Sequence, residues 1–233
     1  MSEHIVTSFD DDLREVGKLI REMGGLAGSM VNGATMALLS ADIALAHRVV
    51  SDDAVMDASQ RELDERAISL IARRQPMADD LRAVVGAIRM AGDLERIGDL
   101  AKNIAKRVEA IGHDAVPRDL SHSIEAMAGL VLGQVHGVVD VYGERDAEGV
   151  ALLRDEDERI DVKYTSVFRE LLTYMMEDPR NITACTHLLF CAKNLERIGD
   201  HVTNIAENAY YVLTGQQLPA TRPKSDETAQ PAA

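Results

Sequence analysis

Apolar residues recur every three or four positions along almost the whole chain, and polar residues fill the spaces between them. Over residues 9–40, Leu13, Val16, Ile20, Met23, Ala27, Met30, Ala34 and Ala37 form one such stripe, which predicts an amphipathic helix. Gly24, Gly25, Gly28 and Gly33 weaken that helix, because glycine costs about 1 kcal/mol relative to alanine in a helix interior. Close packing against a neighbour is expected to compensate. Ser40-Ala41-Asp42 offers a break with an N-cap. A second helix then runs to Arg74 with Val49, Met56, Leu63 and Leu70 at heptad spacing. Gln75-Pro76 ends it, since the residue before a proline disfavours the α conformation. A third helix starts near Met77-Ala78-Asp79 and turns Leu94, Ile97, Ala101, Ile104 and Val108 inward.

Gly112-His113-Asp114-Ala115-Val116-Pro117 has a breaker at each end and marks the clearest boundary in the chain. The plan then repeats. One helix spans about 118–142, with Ile124, Met127, Val131, Val135, Val138 and Tyr142 apolar; a second spans 146–176 and stops at Asp178-Pro179; a third spans 180–214 and stops at Gly215. No segment alternates as a strand would. The predicted architecture is all-α: two pseudo-symmetric three-helix bundles, residues 1–112 and 117–215, joined end to end or side by side. Residues 216–233, polar and Pro/Ala-rich, are expected to form a disordered tail.

A repeated motif explains the repeated plan. Residues 93–105 read DLERIGDLAKNIA and residues 194–206 read NLERIGDHVTNIA, identical at nine of thirteen positions and 101 residues apart. That spacing indicates duplication of a unit of about a hundred residues. The retained positions include Glu95, Asp99 and Asn103, then Glu196, Asp200 and Asn204.

Composition narrows the function classes. Apolar residues make up 46% of the chain and aromatic residues only 3%, with ten Met and no Trp, so the core is aliphatic and suits helix-on-helix packing. A net charge of −14 argues against a sequence-independent nucleic-acid binder and against adhesion to an anionic membrane. No run approaches eighteen apolar residues, and the N-terminus lacks the apolar core of a signal peptide. Cys185 and Cys191 are six apart, not a CxxC pair, and Cys191 lies in an apolar stretch. These features predict a soluble protein of a reducing compartment.

Glu95 and Asp99 are four residues apart on one helix face, and Glu196 and Asp200 repeat the arrangement. Such pairs repel by about 0.2–0.5 kcal/mol on an isolated helix. The preceding helix of each half carries a matching pair, Asp53 with Asp57 and Asp157 with Asp161. If the helices pack antiparallel, four carboxylates converge per half, and a hard cation bound through oxygen would relieve them. Ordinary ion pairs are the competing account, because Arg96 and Arg197 each stand three residues before the aspartate. No Glu-x-x-His accompanies these motifs, which disfavours a di-iron bundle centre. An oxygen-only site for iron, manganese, magnesium or zinc is expected. There is no GxSxG, Walker loop or GxGxxG after a strand, so an enzyme is not expected.

The doubled LERIGD followed by xxxNI, the stretch RQPMADDLR at 74–82 and LLTYMMEDPR at 171–180 resemble the PhoU family over about residues 9–215. The resemblance implies a cytosolic, commonly dimeric negative regulator of the phosphate-starvation response. It would act as an adaptor between the phosphate ABC transporter, through its ATPase subunit, and the sensor histidine kinase. Some members carry metal clusters on [DE]xxxD motifs, which assigns ligand roles to Asp53, Asp57, Glu95, Asp99, Asp157, Asp161, Glu196 and Asp200. Asp64 stands eleven after Asp53 where the second half has Phe168, so the two sites are expected to differ. The alternatives are a metal-dependent phosphohydrolase and a structural helical protein without metal. Arg73, Arg74, Arg82 and Arg89 would either contact a partner or balance the acidic faces.

Overall fold

The computed structural model describes residues 2–112, 118–155 and 157–218, and the side chains of 11–112, 120–154 and 157–218. Among the described residues, seven α-helices follow in order: α1 (Ser2–Ser40), α2 (Ile43–Arg74), α3 (Asp79–Ile111), α4 (Arg118–Glu144), α5 (Ala147–Asp155), α6 (Glu158–Glu177) and α7 (Ile182–Thr214). A 3-10 turn, Pro179–Asn181, precedes α7. Helix ends follow the sequence signals. Asp42 caps α2 by accepting from the Leu45 amide at 2.9 Å, and Gln75 takes a left-handed conformation that stops the helix before Pro76. The boundary residues 113–117 and the expected tail beyond Leu218 lie outside the described residues.

The middle helix of the second half differs from expectation. Instead of one helix over 146–176, α5 and α6 are separate. Both pack on α7 as well as α4, and the break places Asp157, Glu158 and Asp161 at the N-terminus of α6. Exposed backbone N–H groups and the helix dipole favour negative charge there, so the acidic run begins a new helix.

The two bundles lie side by side and share one apolar core running from Val16 to Ala209. The principal seam is α3 against α7, each 33 residues long. They cross antiparallel: Asp93 reaches His201, Arg107 reaches His187, and Gly86 faces Val212. Each helix of the seam is thus packed on its own duplicate, so the pseudo-twofold axis crosses the seam.

A second seam joins α1 to α4, and here the glycines act as expected. A Cβ at Gly24 would lie 2.3 Å from Val139 Cγ2, and one at Gly28 would lie 2.6 Å from His136 Nε2. Among the described residues, only helix α4, over Leu120–Glu144 with mean hydropathy 1.3, is long and apolar enough on average to cross a membrane, although it contains no unbroken run of eighteen apolar residues. Its apolar positions Leu120, Ile124, Met127, Val131, Val135 and Val138 are fully buried in the shared core, which accounts for that composition. Cys185 and Cys191 are free and buried, and burial pushes the Cys191 thiol up to about 12.

Candidate functional site

All eight predicted carboxylates fall into two sets, one per half, because α2 runs antiparallel to α3 and α6 packs on α7. The two sets are built differently.

In the first half, Lys102 lies between the helices. Its Nζ donates to Asp53 Oδ2 at 2.7 Å and to Asp99 Oδ1 at 2.5 Å. Arg96 adds a bond to Asp99 Oδ2 at 3.1 Å and lies 3.4 Å from Glu95 Oε2. Burial alone would raise Asp99, but the hydrogen bonds and charge of Lys102, then of Arg96, outweigh it and hold its pKa below the usual value. Burial would also lower Lys102, and its two carboxylates outweigh that and keep it protonated. Glu95 goes the other way: burial, the Asp99 charge and Asp57 raise its pKa against Arg96. Asp64 is half-buried, and its Oδ1 has no hydrogen-bond partner among the described residues.

The second half buries its carboxylates more deeply. Asp157, Asp161 and Glu196 are only 2%, 4% and 7% exposed. No lysine occupies the place of Lys102, because the equivalent residue is Thr203, which bonds back to the Gly199 carbonyl at 3.2 Å. Charge compensation comes from Lys193, whose Nζ donates to Glu196 Oε1 at 2.8 Å, and from the α6 N-terminus beside Asp157 and Asp161. Glu196 Oε2 is buried without a hydrogen-bond partner among the described residues. Burial raises the Glu196 pKa, and the charges of Asp200 and Asp161 add to it against the lowering effect of Lys193. Gly199 makes this approach feasible: a Cβ there would stand 2.8 Å from Asp157 Oδ1.

Among the described residues, no group of three or more His, Cys, Asp or Glu side chains is arranged so that it could hold a metal ion. The donor chemistry still separates the two halves. The second set is acidic and oxygen-only, and one Glu196 oxygen is buried without a hydrogen-bond partner among the described residues. In the first set an internal ammonium already bridges two carboxylates.

Sequence reasoning missed the link between the halves. Asp93 Oδ1 lies 2.9 Å from His201 Nδ1 and accepts from Asn204 Nδ2 at 3.3 Å. Asn204 therefore reaches across the α3–α7 seam, away from the acidic stripe. A signal was present: Asp93/Asn194, Leu100/His201 and Lys102/Thr203 are three of the four positions at which the motif copies differ. Of the basic residues singled out, Arg74 lies 3.6 Å from Asp12 and Arg82 bonds Asp79 at 2.7 Å. These two balance acidic neighbours, whereas Arg89 is exposed.

The PhoU domain profile matches the chain twice, over residues 20–108 and 124–209. The chain belongs to the PhoU family. It is 56% identical over 225 residues to a phosphate-specific transport system accessory protein PhoU homolog of Rhizobium meliloti, covering 97% of this chain and 95% of that protein. A homolog from Caulobacter vibrioides is 46% identical over 230 residues, covering 99% of this chain and all of the relative. Among solved structures, PhoU from Pseudomonas aeruginosa superposes with a TM-score of 0.85 at 35% identity, over 89% of this chain and 100% of that one. The phosphate transport system regulatory protein PhoU from Streptococcus pneumoniae gives a TM-score of 0.83 at 27% identity, over 91% and 99%. The family is one of phosphate-transport accessory proteins, and a role in regulating phosphate transport follows for this chain.

Proposed function

We propose that this protein is a negative regulator of the phosphate-starvation response that modulates phosphate uptake as a non-catalytic adaptor. Its partners would be the ATPase subunit of the phosphate ABC transporter and the sensor histidine kinase, reached from the cytoplasm by a homodimer. The observation that carries this reading is the near full-length match to phosphate-specific transport system accessory proteins.

The acidic sets supply the metal-binding part of the proposal. Asp157, Asp161, Glu196 and Asp200 would hold a divalent or trivalent cation in the second half. Asp53, Asp57, Glu95 and Asp99 would do so in the first, where the Lys102 ammonium must give way. The ion would supply positive charge that cancels the repulsion among these carboxylates. Iron, zinc, manganese and magnesium all suit oxygen donors of this kind to differing degrees.

The test is a phosphate-starvation reporter in a deletion strain of the native host grown with abundant phosphate. The reporter should switch on in the deletion and fall silent when this gene is restored. A reporter still active after the wild-type gene is restored and expressed would sink the regulatory reading. The triple variant Asp161→Asn, Glu196→Gln and Asp200→Asn should bind less metal than wild type by elemental analysis while staying helical. Equal metal content would remove the metal from the proposal.

A further inference from the structure

The antiparallel α3–α7 seam creates two pseudo-equivalent recesses, one at each end. In the first, Asp93 faces Asn204, with Glu207, Asn208 and Tyr211 beside them. In the second, of about 420 Å³, the same positions of the duplicate hold Asn194 and Asn103, with Lys106, Arg107 and Ala110. Asparagine is retained at 103 and 204, while Asp93 and Glu207 are replaced in the duplicate by Asn194 and Lys106; Arg82, Arg89 and Arg96 also line the first recess, alongside its acids. The first recess contains its own anion: the Asp93 carboxylate, bound by Asn204 and His201. The second has a neutral amide, Asn194, in place of that carboxylate, and none of its lining residues is acidic.

We infer that the recess lined by Asn103, Lys106, Arg107, His187 and Asn194 binds a small tetrahedral oxyanion, inorganic phosphate. The choice of phosphate among oxyanions rests on the phosphate-transport reading; the preference for an anion rests on the geometry. Arg107 is fixed in place by neutral groups only. Its guanidinium carbon lies 4.2 Å from the Phe190 ring centroid, and NH1 lies 3.1 Å from His187 Nδ1. With Arg107 donating to Nδ1, the imidazole carries its proton on Nε2, a donor. Neither Arg107 nor Lys106 forms an ion pair among the described residues, in a chain of net charge −14. Two cationic side chains, two carboxamides and an imidazole N–H are the donor set that charge-assisted oxyanion binding uses.

The test titrates inorganic phosphate into the full chain at fixed ionic strength, with chelator present so that metal cannot mediate binding. Nitrogen–proton correlation spectra follow the side-chain amides of Asn103 and Asn194 and the Arg107 Nε–H. Saturable shifts confined to these groups are expected, with none from chloride. Lys106→Gln, at an exposed position, and Arg107→Gln should each weaken binding by about tenfold, the loss of one charge-assisted contact. Arg89→Gln, at the other recess, should leave it unchanged. Absence of saturable shifts, wild-type affinity in the Lys106→Gln and Arg107→Gln variants, or tighter binding of sulfate than of phosphate would overturn the proposal. Binding is read without the reporter, so its failure leaves the regulatory reading standing, and a failed reporter leaves an observed site standing.

Discussion

Lys102 and Glu196 show how single residues tune two copies of one motif. Lys102 bridges Asp53 and Asp99 with its side chain only 18% exposed. Lys102→Ala leaves the two carboxylates facing each other without their cation, and should lower stability by about 1–3 kcal/mol. Urea unfolding measures this, and added manganese should recover part of the loss by mass action. An unchanged midpoint would show that the bridge contributes nothing. At Glu196 the sign is opposite. Burial raises the folded-state pKa above the ordinary 4.5, so the folded protein holds this proton more tightly than the unfolded chain. The ionised form therefore costs stability once pH rises through the folded pKa. Glu196→Gln removes that cost, so in metal-free protein it should raise Tm at pH 7, with the gain vanishing toward pH 4. A gain independent of pH would refute the burial account. The acidic pairs were readable from the repeat, but which oxygens are buried was not, since burial depends on the partner helix. The non-identical positions 93, 102 and 201 carried the missed information.

At the scale of elements, close approach of helices is decided by glycine. Gly24→Ala places a methyl against Val139 at the α1–α4 seam, and overpacking of this kind costs about 1–3 kcal/mol. Gly25 is exposed, and a Cβ there meets nothing within 4 Å. Gly25→Ala should instead stabilise by about 0.5–1 kcal/mol through helix propensity. Opposite shifts in the two thermal midpoints test the packing; two stabilised variants would argue against a tight seam. Glycines in a helical pattern indicate that something packs closely, but not what. The split between α5 and α6 was hidden for a related reason. The charged run Arg154–Glu158 is compatible with a continuous surface helix, and docking of both pieces on α7 adds to the preference of its acids for a helix start in favouring a break.

The whole molecule follows from the seams. Because α1 packs on α4 and α3 on α7 within one core, neither half can lose its structure without exposing the other's apolar face. One cooperative unfolding transition is expected. All five tyrosines (142, 164, 174, 210 and 211) lie in the second half, so near-ultraviolet signals report that half and far-ultraviolet dichroism reports both. Coincident urea transitions are expected; a tyrosine transition displaced from the dichroism transition would show that the halves fold independently.

By itself the sequence determined the helices, their inward faces, the duplication and the acidic pairs, because periodicity, capping and repetition are local properties of a chain. The tertiary structure alone decided that the bundles lie side by side with α3 against α7. Packing each helix on its own duplicate buries the long apolar faces that separate bundles would leave in water. That same packing set Asp93 against His201 and Lys102 between two carboxylates. It thereby made two nearly identical motifs electrostatically different.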